Sequence, residues 1–223
     1  MKWTSRCIQG LASLIVVAVA SSSADASTAW NLERDSGNIQ VYTRAVEGSP
    51  VKAVRAVTQL NAKMSSVVAL LNDAGARPLW DDFCKESKVN KQISDTESLV
   101  YIHHALPWPV KDRDMLLHIV WSQDPNSLVA KMTSIATSGI LAPIDDRVRV
   151  VDATNTWTLT LVGKDSIEVV SEVHLDPAGP IPAWLLNMLS TDAPYKSMQH
   201  IRQILSSGKY RDSHVAFIAD QAP

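Results

Sequence analysis

The sequence predicts an α+β fold in which a curved antiparallel sheet packs around a long C-terminal helix, and three observations carry that prediction. From Ser87 to Leu175, five or so segments rich in Val, Ile, Thr and Trp are divided by turn residues at 95–97, 124–126, 145–146 and 163–165, the pattern of an antiparallel meander. From Pro182 to about Ser206, Trp184, Leu185, Met188, Leu189, Tyr195, Met198, Ile201 and Leu205 return at three- and four-residue steps, opposite Lys196, Gln199, Arg202 and Gln203. Between these regions, Asp176 to Asn187 places three prolines and a glycine at a strand-to-helix junction. Pro182 has a fixed φ and no N–H, which suits the first turn of a helix, so the junction aims that helix back across the sheet. Pro194 is expected to kink or interrupt it.

The elements before the meander follow in order. Lys2 and Arg6 precede an apolar stretch from Ile8 to Ala20, then a serine run and Ala24-Asp25-Ala26. This is the pattern of a secretory signal peptide, 1–26, cleaved after Ala26, with an apolar stretch short for a bilayer span. The remaining 197 residues, 27–223, suit a single domain. The leader removes two basic residues and one acidic residue, so the net charge moves from −2 to −3. The expected location is therefore periplasmic or secreted. Cleavage also removes Cys7 and leaves Cys84 without a disulfide partner, so the fold rests on its core.

Trp30 to Val41 reads as a short helix leading into a strand, turned at 35–38. Residues 40–45 and 51–60 form a hairpin about Glu47-Gly48-Ser49-Pro50. Asn61 caps a helix from about Ala62 to Ala74 with Val67, Val68, Leu70 and Leu71 on its buried stripe and Gly75 at its end. A tail from Ser213 is expected to be loosely held.

Three local patterns carry a family resemblance. Arg77-Pro78-Leu79-Trp80-Asp81 follows the first long helix, Pro107-Trp108-Pro109 precedes Arg113-Asp114, and Asp176-Pro177-x-Gly179-x-Ile181-Pro182-x-Trp184-Leu185-x-Asn187 opens the last. In this order and spacing they resemble the START domain, the lipid-transfer module related to steroidogenic acute regulatory protein, over about Trp30 to Tyr210. The resemblance implies a helix-grip fold: a curved antiparallel β-sheet wrapped around a long C-terminal α-helix, with a tunnel between them enclosing one lipid. It also implies a difference, because several animal members place an arginine in the cavity five residues after the Arg-Asp pair, and Ile119 stands there here. Physically, the prolines around Trp108 impose extended geometry, with Trp108 covering the bend, and the Arg113-Asp114 pair ties the turn to a neighbouring segment.

Strand parity then nominates the ligand contacts, because alternate side chains share a face. The face carrying Met115 gives Leu117, Ile119 and Trp121; the next strands give Trp157 and Leu159, then Ser171, the only hydroxyl on its face, and Val173. The last helix adds Leu185, Met188, Tyr195 and Met198, and His104 shares parity with Ile102 as the polar group of the pocket. A filled core and a lipid tunnel use the same apolar residue types, so the pattern alone serves both. His103-His104 is not a metal pair, because adjacent strand residues face opposite sides.

No nucleophile elbow, phosphate loop or zinc motif is present, so no catalytic residue, metal or cofactor is expected. No basic block suggests nucleic acid. The expected partner is a lipid or other hydrophobic small molecule, taken up by a monomer with transient membrane contact. Two other functions fit the same architecture. One is a cyclase- or hydrolase-like enzyme, which requires His104, Glu168 or Glu172 in the cavity with a hydrogen-bonded partner; the other is a module docking on an envelope protein.

Overall fold

Alternating apolar side chains build ten strands into one sheet, and the computed structural model describes them within residues 29–221. The leader and Cys7 lie outside the described residues. Strands β1 (Asn31–Ser36), β2 (Ile39–Arg44) and β3 (Ala53–Leu60) come first. Helix α1 (Met64–Asn72) and a 3₁₀ turn (Ala74–Leu79) lead to β4 (Cys84–Gln92), β5 (Glu97–His104), β6 (Asp112–Gln123) and β7 (Ala130–Thr137). Then come β8 (Arg147–Arg149), β9 (Asp152–Gly163) and β10 (Ser166–Asp176), α2 (Ala183–Asn187), a π-helical turn (Met188–Asp192) and α3 (Ala193–Ser206). The strand order is β1-β2-β3-β10-β9-β7-β6-β5-β4, with β8 pairing in parallel with the start of β6. All other pairings are antiparallel, so the expected α+β sheet and gripping helix are present.

Several local expectations are corrected. Residues 31–36 form a strand rather than a helix. Gly37 and Asn38 both have positive φ (58°), the geometry of a two-residue hairpin turn, which forces the preceding segment to pair with β2. Asn61 does not cap α1; Asp220 does that work, accepting from Ser65 N at 2.7 Å and Ser65 Oγ at 2.8 Å. The tail from Ser213 is therefore docked: Ile218 is buried, Phe217 packs near Trp121, and Gln123 is hydrogen-bonded to both the N–H and the carbonyl of Ala219. Trp108 covers nothing, at 91% exposed, and Trp184, placed on the buried stripe by periodicity, is 50% exposed.

The last helix is interrupted just ahead of Pro194, which sits in the first turn of α3. The interruption is the π turn, where Ser190 Oγ donates to Leu186 O at 2.6 Å. Helix α3 is pinned to the β1–β2 hairpin. Arg202 donates to Gly37 O (2.8 Å) and Thr58 Oγ1 (2.6 Å), Arg34 meets Asp192 at 2.9 Å, and the Arg34 guanidinium lies 3.5 Å from the Tyr195 ring centroid.

Parity gives adjacent residues opposite tasks at the start of β6. Arg113 points inward and donates to Pro177 O (2.9 Å), Ala178 O (2.8 Å) and Lys111 O (2.5 Å). It thereby fastens the β10–α2 junction, which turns through Ala178 and Gly179 at positive φ, to the β5–β6 loop. Asp114 points outward, is fully buried, and receives Arg149 through Nε (2.7 Å) and a second nitrogen (2.9 Å), and Tyr101 Oη at 3.1 Å.

Candidate functional site

Between the inner face of the sheet and the C-terminal helix lies a cavity of about 240 Å³. Its wall is mostly apolar, drawn from Val54 and Ala56 on β3, Ile102 on β5, Met115 and Leu117 on β6, and Leu186, Leu189 and Pro194 on the helical side. Trp80 and Trp157 meet edge to face in the wall, their ring centroids 5.9 Å apart.

Six of the twelve residues nominated by sequence line this space: His104, Leu117, Trp157, Ser171, Val173 and Met198. The other six do not. Ile119, Trp121 and Leu159 share the correct face but lie further along their strands, past Leu117 and Trp157. There the sheet is closed by α1, whose Met64, Val67, Val68 and Leu70 are fully buried, and by the docked tail with Phe217 against Trp121. Parity names a face and not how far along it a cavity extends. Leu185, Met188 and Tyr195 sit one position off the lining stripe, which runs through Leu186, Leu189, Ser190, Ala193, Pro194 and Met198 at the ordinary three- and four-residue steps. Tyr195 instead bonds Gln199 and stacks with Arg34.

At the polar end of the cavity, His104 is joined by Arg77, Trp80 and Asp81, which strand parity does not nominate. Asp81 Oδ2 sits 3.1 Å from His104 Nε2 and 3.8 Å from the Arg77 guanidinium, which itself lies 4.7 Å from the Trp80 ring. Burial alone would raise the Asp81 carboxyl, but the charge and hydrogen bond of His104, with Arg77 and the Phe83 N–H, outweigh it and hold the pKa at about 2. Burial lowers the Arg77 pKa, opposed by Asp81. A second polar group, Asn155 with Ser171 Oγ 3.5 Å from its Oδ1, lines the cavity on β9 and β10. Asn155 shares parity with Trp157, so the alternation that gave Trp157 also pointed to it. Cys84 is buried, and burial first, then Asp81, pushes its thiol up to about 12, so it is no nucleophile at neutral pH.

A pH dependence follows from Asp81. Its pKa falls from 3.8 to about 2 on folding, so its contribution is complete above pH 4 and is lost as pH drops through 2. Unfolding free energies measured for the wild type and Asp81→Asn should differ by about 2 kcal/mol more at pH 5 than at pH 2.

Comparison with known proteins agrees with this geometry. The START domain family matches residues 18–209. An uncharacterized protein of Pseudomonas aeruginosa is 30% identical over 173 residues, covering 78% of this chain and 85% of its own length. The crystal structure of a STAR-related lipid transfer protein fragment from Xanthomonas axonopodis superposes with a TM-score of 0.72 at 32% identity, covering 79% of this chain and 98% of that one. Human STARD10 shares the fold at a TM-score of 0.69 and 20% identity, with 80% of this chain and 74% of that chain covered.

Proposed function

The chain belongs to the START domain family, and on that premise we propose that it holds one hydrophobic molecule non-covalently between sheet and C-terminal helix and carries it through the periplasm as a monomer. The observation that carries this reading is the apolar-walled cavity itself, with Arg77, Asp81 and His104 forming a charged cluster on its wall. Apolar burial at about 25 cal/mol per Å² supplies the affinity, and the polar end orients the molecule. The leader pattern of residues 1–26 supports export.

Exchange with a membrane has a physical basis at the mouth. Arg113 fastens the Trp108 loop beside the junction that precedes Trp184, which sets two exposed tryptophans on adjoining segments next to the lining residues Leu106 and Leu186. Indole side chains favour the membrane–water interface. Vesicle sedimentation should show the Trp108→Ser, Trp184→Ser double variant binding about tenfold more weakly than wild type. Labelled-lipid uptake from the same vesicles tests the carrier reading: one lipid per chain supports it, and no uptake by a folded protein refutes it.

One observation favours an enzymatic reading as a second possibility. His104 lines the cavity with a carboxylate at hydrogen-bond distance, the arrangement a general base uses. Glu172 is instead engaged by Arg55 at 2.6 Å, and neither Glu168 nor Glu172 lines the cavity. Unchanged lipid esters after prolonged incubation favour the carrier; stoichiometric excess of hydrolysed product favours the enzyme.

A further inference from the structure

One section of the cavity wall is fastened by residues beyond the family match, which ends at residue 209. Tyr210 Oη donates to Asp73 Oδ2 at 2.8 Å, while Asp73 Oδ1 accepts from Ala76 N at 3.2 Å and so caps the 3₁₀ turn. Asp220 accepts from Ser65 N and Oγ at the other end, the start of α1. Helix α1 has no cap of its own there: Lys63 makes no side-chain bond and the first turn holds no acid. At 9 residues it is shorter than the roughly 12–15 at which an isolated helix becomes marginal in water. The tail therefore closes both ends of a unit, α1 plus the 3₁₀ turn, that depends on outside support.

The rest of the wall is anchored differently. Helix α3 is bound to the β1–β2 hairpin through Arg202 and Arg34, and buried Arg113 ties the β5–β6 loop to the β10–α2 junction. The section that supplies Arg77, Trp80, Asp81 and Phe83 to the cavity has no such backbone anchor. Backbone hydrogen bonds of residues 64–82 stay among themselves and adjoining positions; only at Phe83 O does one reach another segment, from Ala105 N at 2.8 Å beside the Trp108 loop. Its other ties are side chains: Trp80 against Trp157, Asp81 with His104, and exposed Asp82 at 3.7 Å from Lys196 and 3.4 Å from His200. The tail is itself lightly held, since from 210 to 221 only Tyr210 and Ile218 are buried. Local opening draws on segments of this kind.

Building on the lipid-binding reading above, we infer that the tail is a latch and the α1–3₁₀ unit is the gate. When the tail lifts, α1 loses its cap and Asp73 loses Tyr210, and the section from Arg77 to Phe83 moves out of the wall beside the Trp108 loop. Helix α3 stays in place. Tyr210 and Asp220 are positioning residues, which set the rate of exchange from the far side of α1.

The test follows release of a pyrene-labelled fatty acid from loaded protein into excess vesicles by stopped flow, with hydrogen exchange on the same samples. The Tyr210→Phe, Asp220→Ala double variant should release the probe about tenfold faster than wild type with affinity unchanged within about threefold, because a gate speeds entry and exit together. Exchange protection should fall over 64–83 and hold over 195–205. Asp220→Asn, whose amide oxygen still accepts from the Ser65 N–H, should keep most of the wild-type rate. Gln123→Ala, which frees Ala219 without touching α1, should also speed release and stands in if the double variant fails to fold. Unchanged release in the folded variants, protection lost first over 183–206, or protection lost evenly across the sheet overturns the gate and leaves lipid binding intact. No uptake of the probe by the wild type overturns both.

Discussion

Ser171→Phe is expected to empty the protein of ligand while leaving it folded. Ser171 lies on the cavity wall between Trp157 and Ala56 in the sheet register, and its hydroxyl makes only one long contact, at 3.5 Å to Asn155. A phenyl ring there projects into existing space instead of displacing packed atoms. Overpacking a filled core costs roughly 1–3 kcal/mol; filling an existing cavity removes that term. The thermal midpoint should therefore hold or rise, while affinity for the bound molecule falls by about a hundredfold. Ala56→Phe, from the facing position on β3, should act in the same way. Loss of the fold in both variants would show that the space is smaller than described, and retained binding in both would place the ligand elsewhere.

Asp114→Ala is expected to have the opposite profile. Its carboxylate is fully buried, receives Arg149 through two nitrogens and the Tyr101 hydroxyl, and lies on the far side of the sheet from the cavity. Truncation leaves Arg149, itself only slightly exposed, with two backbone carbonyls, Leu141 O and Ala142 O, as its remaining acceptors. Removing one partner of a buried pair costs about 3–5 kcal/mol, so the thermal midpoint should drop by about 10 °C at this chain length. The fraction that remains folded should bind ligand as the wild type does. Replacing both partners, Asp114→Leu with Arg149→Met, should be milder than the single change, because no charge is left uncompensated.

The contrast between these two substitutions also shows what was legible in the sequence. Period-2 alternation gave the inner faces of β6, β9 and β10 correctly, and so Leu117, Trp157, Ser171 and Val173. It could not locate the floor of the cavity, because that floor is made by α1 and by residues from Tyr210 onward, through contacts such as Asp220 with Ser65 and Phe217 with Trp121, more than 90 positions apart in the chain. In the last helix the apolar stripe includes residues buried away from the cavity, such as Leu185 and Tyr195, as readily as those that line it, such as Leu186 and Leu189. Arg77 and Asp81 were visible as residues of a family pattern, yet their convergence on His104 depends on a 3₁₀ turn meeting β5, which no local spacing encodes. The role of Arg113 was legible in kind, as a tie to a neighbouring segment, and the partner proved to be the Pro177–Ala178 junction itself.

Native mass spectrometry of the protein purified from its own cells tests the central claim most directly. The wild type should carry one additional mass per chain, corresponding to a single hydrophobic molecule, and Ser171→Phe should fly at the bare polypeptide mass. A wild type found only at the bare mass, and unable to take up labelled lipid when it is offered, would contradict the account.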